Sequence, residues 1–138
     1  MQLTRAADYA IRVMIHLAGL PPGTRTSRAQ LAEAAECPEQ FLSKVLQGLT
    51  RAGLVISHRG NTGGFAMPEK CRAATLLQVI ESIEGPIRLN TCLSAERSCS
   101  RQASCPTRAV WAEAQAAMLA VLEGITLQGL AQRAATGR

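Results

Sequence analysis

Apolar residues recur every three or four positions in the first part of the chain. The opening segment carries them at Leu3, Ala7, Ala10, Met14 and Leu17. This spacing predicts a first helix, which the Pro- and Gly-containing turn at residues 20–23 ends. Ser27 is a favourable N-cap for a second helix, which carries Leu31, Ala32 and Ala35.

A third helix is predicted from Pro38, with Gly53 as its stop. Its apolar positions are expected to face the core: Phe41, Leu42, Val45, Leu46 and Leu49. Only a few residues around Cys37 separate the second and third helices, as a helix-turn-helix requires. The segment LVISHRGNTGGFAM, residues 54–67, then predicts two short strands around a glycine-rich tip.

A helix-turn-helix followed by such a hairpin is a winged helix, a DNA-binding arrangement. The third helix enters the major groove, and the wing tip contacts phosphates or the minor groove. A polar helix face can also be merely solvated, so the hairpin is what favours DNA binding. The predicted DNA contacts lie on the third helix and the wing: Glu39, Gln40, Ser43, Lys44, Gln47, Arg59, Asn61 and Gly63.

The second half of the chain predicts further helices. Thr75 caps a fourth helix that Gly85 ends, and a polar loop leads to a long last helix. That helix has a heptad-like apolar seam at Thr107, Trp111, Ala114, Met118, Val121 and Ile125. The seam could pack on its own domain or against a partner subunit, since two-fold dimers read palindromic DNA. The predicted dimer interface is Trp111, Ala114, Met118 and Val121.

These patterns predict a mainly α fold with a small β-wing. A winged helix-turn-helix DNA-binding region occupies residues 1–75, and its first helix also contributes to the dimer. Residues 76–138 are expected to hold a cysteine loop, the candidate cluster-binding segment, and the C-terminal dimerisation helices.

Charge is unevenly distributed along the chain. The net charge is +5, with nine basic and five acidic residues up to Thr75 and six and five afterwards. A basic N-terminal half indicates a polyanionic partner such as double-stranded DNA. No nucleotide-binding glycine motif or paired acid and base residues are found, so no enzyme is predicted. The opening residues lack the apolar run of a signal peptide, and no segment spans a membrane, so we expect a cytoplasmic protein.

Three cysteines form a C-x6-C-x5-C pattern in the polar loop: Cys92, Cys99 and Cys105. The odd total of five cysteines and the expected reducing cytosol argue against disulfides. Structural zinc sites usually contain close C-x2-C pairs, whereas the wider spacing here suits an iron-sulfur cluster with a fourth ligand of another type. Thiolates are favoured by Arg97, Arg101 and Arg108, and by a helix in which Cys105 is the expected N-cap and Pro106 the first residue.

Several segments together resemble the Rrf-type winged-helix regulators. They are MQLTRAADYAIRVMIHLA, FLSKVLQGLTRAGLVISHRGNTGGF, the cysteine loop and LEGITLQGL, and the most specific are the loop and the RGxxGG wing at Arg59–Gly64. The resemblance covers essentially the whole chain. It implies a homodimeric transcriptional regulator, a repressor of a palindromic operator, that senses nitric oxide, redox or iron status through an iron-sulfur cluster. A 4Fe-4S cluster is favoured and a 2Fe-2S cluster is the other form considered.

The fourth ligand distinguishes the branches of this family. IscR-like members have a histidine three residues after the last cysteine, but Arg108 stands there and cannot ligate iron. NsrR-like members use an aspartate of the partner's first helix, and Asp8 stands there, so the ligand pattern is closest to NsrR. The metal ligands implied are Cys92, Cys99, Cys105 and Asp8.

Alternatives remain open at this site. Asp8 could instead be a surface carboxylate paired with Arg5 or Arg12, and His16 is a chemically competent ligand. Cys37 and Cys71 are expected to be structural or incidental. They also allow a rival function, a cluster-free thiol- or zinc-dependent winged-helix regulator.

Overall fold

The computed structural model describes residues 2–94 and 99–137. In those residues the chain forms six α-helices and one antiparallel hairpin: α1 Arg5–Ala18, α2 Arg28–Ala35, α3 Glu39–Arg51, β1 Ile56–His58, β2 Gly64–Ala66, α4 Leu76–Glu84, α5 Arg108–Glu123 and α6 Leu127–Ala135. Short 3-10 helices span Glu69–Ala73 and Thr91–Leu93. The predicted fold class, mainly α with a small β-wing, is confirmed. None of the described helices is long and apolar enough to cross a membrane.

Side-chain caps fix the helix starts that the sequence predicts. Ser27 accepts a hydrogen bond from the Gln30 amide while the Gln30 side chain accepts one from Ser27, which is a capping box. Thr75 and Gln78 repeat this arrangement at α4. These caps satisfy amides that the first turn leaves without helical partners.

The core forms around α1, which packs against α2, α3, α4 and α6. The largest fully buried side chains of the core include residues from all five of these helices: Met14, Leu31, Leu42, Leu49, Ile80 and Leu127. The prediction that Phe41 faces inward is wrong, because 41% of its surface is exposed. Its ring instead stands edge-on to Tyr9 of α1, with the centroids 5.6 Å apart. Leu3 precedes α1 and is also exposed.

The wing is a two-stranded sheet that the loop before α2 extends. Ser57 pairs with Phe65 between β1 and β2. Thr26 then bridges to the other edge of Phe65, with reciprocal amide-to-carbonyl bonds of 2.9 and 2.8 Å. Gly64 allows this close approach because its φ is +137° and an added Cβ would lie 2.8 Å from the carbonyl oxygen of Thr26. The wing is therefore joined to the helix-turn-helix as one unit.

The C-terminal part leaves the core and returns to it. The sequence prediction placed the last long helix at Pro106, but α5 begins at Arg108 with Thr107 as its N-cap, so Cys105 is not the cap. After α5 a separate helix, α6, packs on α1, which the sequence did not predict. The Leu76 amide donates to the Ile125 carbonyl and the Leu127 amide to the Ala74 carbonyl. This pair of bonds joins the start of α6 to the start of α4.

Candidate DNA-binding surface and cysteine loop

The predicted recognition face of α3 lies at the surface. Glu39, Gln40, Lys44 and Gln47 are exposed, and Ser43 is half-buried. The opposite face of α3 is buried by leucines and Val45, so the helix orientation is fixed by the core. The wing residues Arg59 and Asn61 are exposed as well, and Gly63 is half-buried. Base and phosphate contacts by these side chains stay a prediction.

One residue of this surface, Arg28, was missed by the sequence reasoning. Arg28 is the first residue of α2, and its Nη1 donates a 2.9 Å hydrogen bond to Ser43 Oγ. Its Nε lies 4.0 Å from a carboxylate oxygen of Glu39. No spacing rule within α2 could reveal these contacts, because they depend on how α2 packs against α3.

A groove of about 560 Å³ separates α3 from the wing. Three of the predicted DNA contacts line it, namely Ser43, Gln47 and Arg59. The lining also includes residues not predicted: Arg28, Leu46, Thr50, Arg51, Ser57 and Phe65. Arg51 could have been found from the sequence, since it follows Gln47 by four residues on the same helix face.

A further cation fixes the wing tip. Arg25 donates from Nη1 to the backbone carbonyl of Thr62, at 2.9 Å. Gly63 has no space for a side chain, since an added Cβ would lie 2.5 Å from the His58 carbonyl oxygen. Gly63 therefore acts through the shape of the tip, which lets the wing backbone approach another surface closely.

The cysteine loop carries accessible thiols. Cys92 lies in the Thr91–Leu93 3-10 helix and is half-buried, whereas Cys99 is exposed. The Leu89 amide, just before this helix, donates to the Gln115 side chain at 2.8 Å, which ties the loop to α5. Arg97, expected beside the thiols, lies outside the described residues.

The surroundings of the Cys105 thiol favour its ionised form. Its Sγ lies 3.2 Å from Thr107 Oγ1, and this side-chain hydrogen bond, with a further bond to the Thr107 amide, lowers the pKa of the Cys105 thiol. Nε of Arg108 is buried without a hydrogen-bond partner among the described residues. A thiolate stabilised in this way is a suitable ligand for iron or zinc.

Asp8 forms a surface ion pair with Arg12, one of the two partners that the sequence allowed. Its carboxylate lies 2.8 Å from Nη2 of Arg12, and both side chains are about half exposed. Arg12 also donates from Nη1 to the carbonyl of Ala35, the last residue of α2, at 3.1 Å. His16, the other candidate ligand, lines a groove between α1 and α6 that Asp8 does not border.

Within residues 2–94 and 99–137 of one chain, no three Cys, His, Asp or Glu side chains are grouped closely enough to hold a metal ion. The donor set nevertheless fits an iron-sulfur cluster in kind, because three thiols share one loop and the pKa of one is lowered. A closed site would need donors from outside this grouping, such as a second subunit.

Cys37 and Cys71 have the character of structural thiols. Both are buried, and burial raises the pKa of each. Cys37 donates to the Pro38 carbonyl and Cys71 to the Gly53 carbonyl, each at 3.4 Å. Protonated thiols of this kind react slowly.

The α5 helix has no buried residue in the single chain. Of the predicted interface, Ala114 is exposed and Met118 half-buried, while Trp111 and Val121 are 39% and 66% exposed. Val110 beside them is 56% exposed. A 16-residue helix with such exposed apolar groups is unusual for a monomer.

Residues 3–133 match the Rrf2 family, described as "Iron-dependent Transcriptional regulator". Protein aau3 of Rhizobium meliloti (strain 1021) is 36% identical over 132 residues, which cover 94% of this chain and 84% of that protein. CymR (YrzC), the global cysteine regulator of B. subtilis, has a similar structure, with a TM-score of 0.76 and 29% identity over 96% of this chain and 97% of that one.

T. potens IscR, with a TM-score of 0.72 and 24% identity over 97% of this chain and 88% of that one, shares the fold. The matched residues include the winged helix, the cysteine loop and both C-terminal helices. The protein therefore belongs to the Rrf2 family of winged-helix transcriptional regulators, which bind DNA and are not enzymes.

Proposed function

We propose that this protein is a homodimeric repressor that senses nitric oxide, redox or iron status through an iron-sulfur cluster. The ligands would be Cys92, Cys99 and Cys105 of one subunit and Asp8 of the partner subunit. The observation that carries this proposal is the set of three loop thiols, of which Cys105 has a lowered pKa. When bound, a cluster of this kind supplies iron that reacts with small molecules, most readily where a carboxylate replaces a thiolate.

The proposed dimer is supported by the exposed apolar surface of α5. Its exposed apolar side chains, among them Trp111 and Val121, would be buried by the same helix of a second copy. Two copies would present two recognition helices, which suits a palindromic operator in the cytoplasm. Asp8 is exposed on α1 and is free of the core, so it can serve a second subunit.

Asp8 is also linked to the helix-turn-helix. It neutralises Arg12, whose guanidinium donates to the Ala35 carbonyl where α2 ends. A carboxylate drawn toward the partner's cysteine loop leaves Arg12 without its counter-charge beside the turn that precedes α3. The orientation of α3 would then depend on where Asp8 is bound, and half-site spacing makes DNA affinity sensitive to such a change.

The direct test is the absorption spectrum and iron content of protein purified without oxygen. We expect visible sulfur-to-iron charge-transfer bands, which Ser substitution at Cys92, Cys99 or Cys105 should abolish. Cys71→Ser is the matched control, because serine keeps the hydrogen-bond donor to Gly53 and Cys71 is not on the loop. A colourless wild-type protein with one zinc per chain would refute the cluster.

The role of Asp8 has its own test. Asp8→Ala should give a cluster that forms poorly or reacts faster with nitric oxide, and DNA binding that no longer follows cluster content. Normal cluster content, reactivity and cluster-dependent binding would exclude Asp8, and His16→Ala would then be tested in the same assays.

A second candidate is a cluster-free thiol- or zinc-dependent regulator. It is favoured by the similarity to CymR, named a global cysteine regulator, and to a structure of S. aureus CymR in an oxidized form, at 29% and 25% identity. The accessible thiols would be those of the loop, because burial raises the pKa of Cys37 and Cys71. Iron analysis distinguishes the two candidates.

A further inference from the structure

The groove between α3 and the wing carries three guanidinium groups from three different elements. Arg28 begins α2, Arg51 lies in the last turn of α3, and Arg59 follows β1 on the wing. Among the described residues, no carboxylate lines this groove. Three converging cations without an acidic neighbour in the lining produce a strongly positive potential.

We propose that this groove binds the phosphodiester backbone of one DNA strand, with Arg28 and Arg51 as phosphate contacts beside Arg59. The proposal relies on DNA binding by the family and is independent of any cluster. Duplex DNA is the occupant that the surroundings favour, since Gln47 and Ser43 of the recognition helix border the same groove. A strand lying there would place its bases against α3 and its phosphates against the arginines.

The guanidiniums retain free donors for a phosphate. In the described part of the chain, Arg51 and Arg59 have no carboxylate within 4.0 Å. Arg28 uses one N–H on Ser43, and its ion pair with Glu39 is long, at 4.0 Å, and half exposed. A guanidinium has five N–H donors, so Arg28 can hold Ser43 and a phosphate oxygen together.

The side chain of Arg28 and the part of the wing that carries Arg59 are also held near the positions they would need. The bond to Ser43 fixes Arg28 over the first turns of α3. Arg25 and the Thr26 bridge fix the wing that carries Arg59. Less side-chain entropy is then lost on binding than for arginines on a mobile tail.

The test is the salt dependence of binding, measured by fluorescence anisotropy with the full-length protein and a labelled duplex of mixed sequence. The logarithm of the affinity falls with the logarithm of the salt concentration, and each lost phosphate contact makes this slope shallower by about 0.9. Between about 50 and 200 mM salt, each DNA-bound wild-type subunit should therefore lose about 3.5-fold more affinity than Arg28→Ala or Arg51→Ala, and about 12-fold more than the double variant. Both factors are squared when the two subunits of a dimer bind the same duplex.

Two controls make the result specific. Arg133→Ala removes an exposed arginine of α6 that does not line the groove, and it should leave the slope unchanged. Arg28→Lys keeps the charge and should keep the slope. Circular dichroism and the melting temperature report whether each variant is folded.

Two results would overturn the proposal. One is an unchanged salt slope in folded Arg28→Ala and Arg51→Ala. The other is an Arg28→Ala protein with an unchanged slope and an altered preference at a single base pair of a selected operator, since Arg28 would then act through Ser43 on base reading.

Discussion

Replacement of Trp111 by alanine should dissociate the proposed dimer. Trp111 exposes 39% of its surface in the single chain. A tryptophan offers roughly 250 Å², so about 100 Å² remains for a partner to cover. Two symmetric copies at about 25 cal/mol per Å² give an upper value of about 5 kcal/mol, and a tryptophan that acts as an interface hot spot contributes at least about 2 kcal/mol. The dissociation constant should rise between about 30-fold and several thousand-fold.

Sedimentation equilibrium over a range of protein concentrations measures this change. Ile56→Ala is the matched control, because Ile56 is 46% exposed but lies on the wing, away from α5. DNA affinity should fall with dimer dissociation and should recover at higher protein concentration. If Trp111→Ala dimerises as strongly as the wild type, the subunit interface does not lie on this face of α5.

Other predictions concern the DNA surface, the wing and the thiols. Arg59→Ala should weaken binding to all sequences alike and flatten the salt slope, whereas Gln40→Ala should relax preference at one base pair by about 1–3 kcal/mol, as competition with base-substituted duplexes would measure. Gly64→Ala should lower the unfolding free energy by more than about 1 kcal/mol in urea denaturation, because φ there is +137°. In the wild type, alkylation of Cys105 should begin at a lower pH than in Thr107→Val. Removing the hydroxyl raises the pKa of that thiol, so its thiolate forms only at higher pH.

These variants have matched comparisons. Gly60 also has a positive φ, +97°, but an added Cβ meets no atom within 4 Å. Gly60→Ala therefore measures backbone strain alone, and a cost equal to that of Gly64→Ala would show that the contact with Thr26 is unimportant. Peptide mass spectrometry measures the alkylation of Cys105 at each pH. A pH profile in Thr107→Val identical to that of the wild type would contradict the role given to the Thr107 hydroxyl. The recognition face would be misassigned if Arg59→Ala and Gln40→Ala both altered only overall affinity.

The sequence predicted the parts of the fold that local rules determine. Helix starts at Ser27 and Thr75 follow from capping chemistry, and the hairpin follows from its glycine-rich tip. Phe41 was misassigned because it has the spacing of a core residue but lies at the margin of the buried face, beside Tyr9. The start of α5 was misassigned because Pro106 suits a first helical position although the chain does not become helical until Arg108.

The sequence predicted those parts of the candidate sites that lie within one helix or one loop, and it missed contacts between helices. The polar stripe of α3 follows from helical periodicity, and the cysteine loop from composition and spacing. The groove with Arg28, and the link from Asp8 through Arg12 to Ala35, depend on packing between helices. Such contacts join residues far apart in sequence, for which one sequence contains no local signal.

The two hydrogen bonds that join the starts of α4 and α6 close the chain between them into one long loop. Residues 77–124 begin and end at neighbouring points, held by Leu76 to Ile125 and Leu127 to Ala74. Within this stretch α4 packs on α1 and α3, and only the chain after α4 departs from the core. The cost of closing a long loop grows only slowly with its length, so insertions in the segment between α4 and α5 change the stability of the DNA-binding unit little. Evolution, or an engineer, can therefore replace the segment between α4 and α5 with one of different chemistry, while α4 keeps its place in the core of the DNA-binding unit.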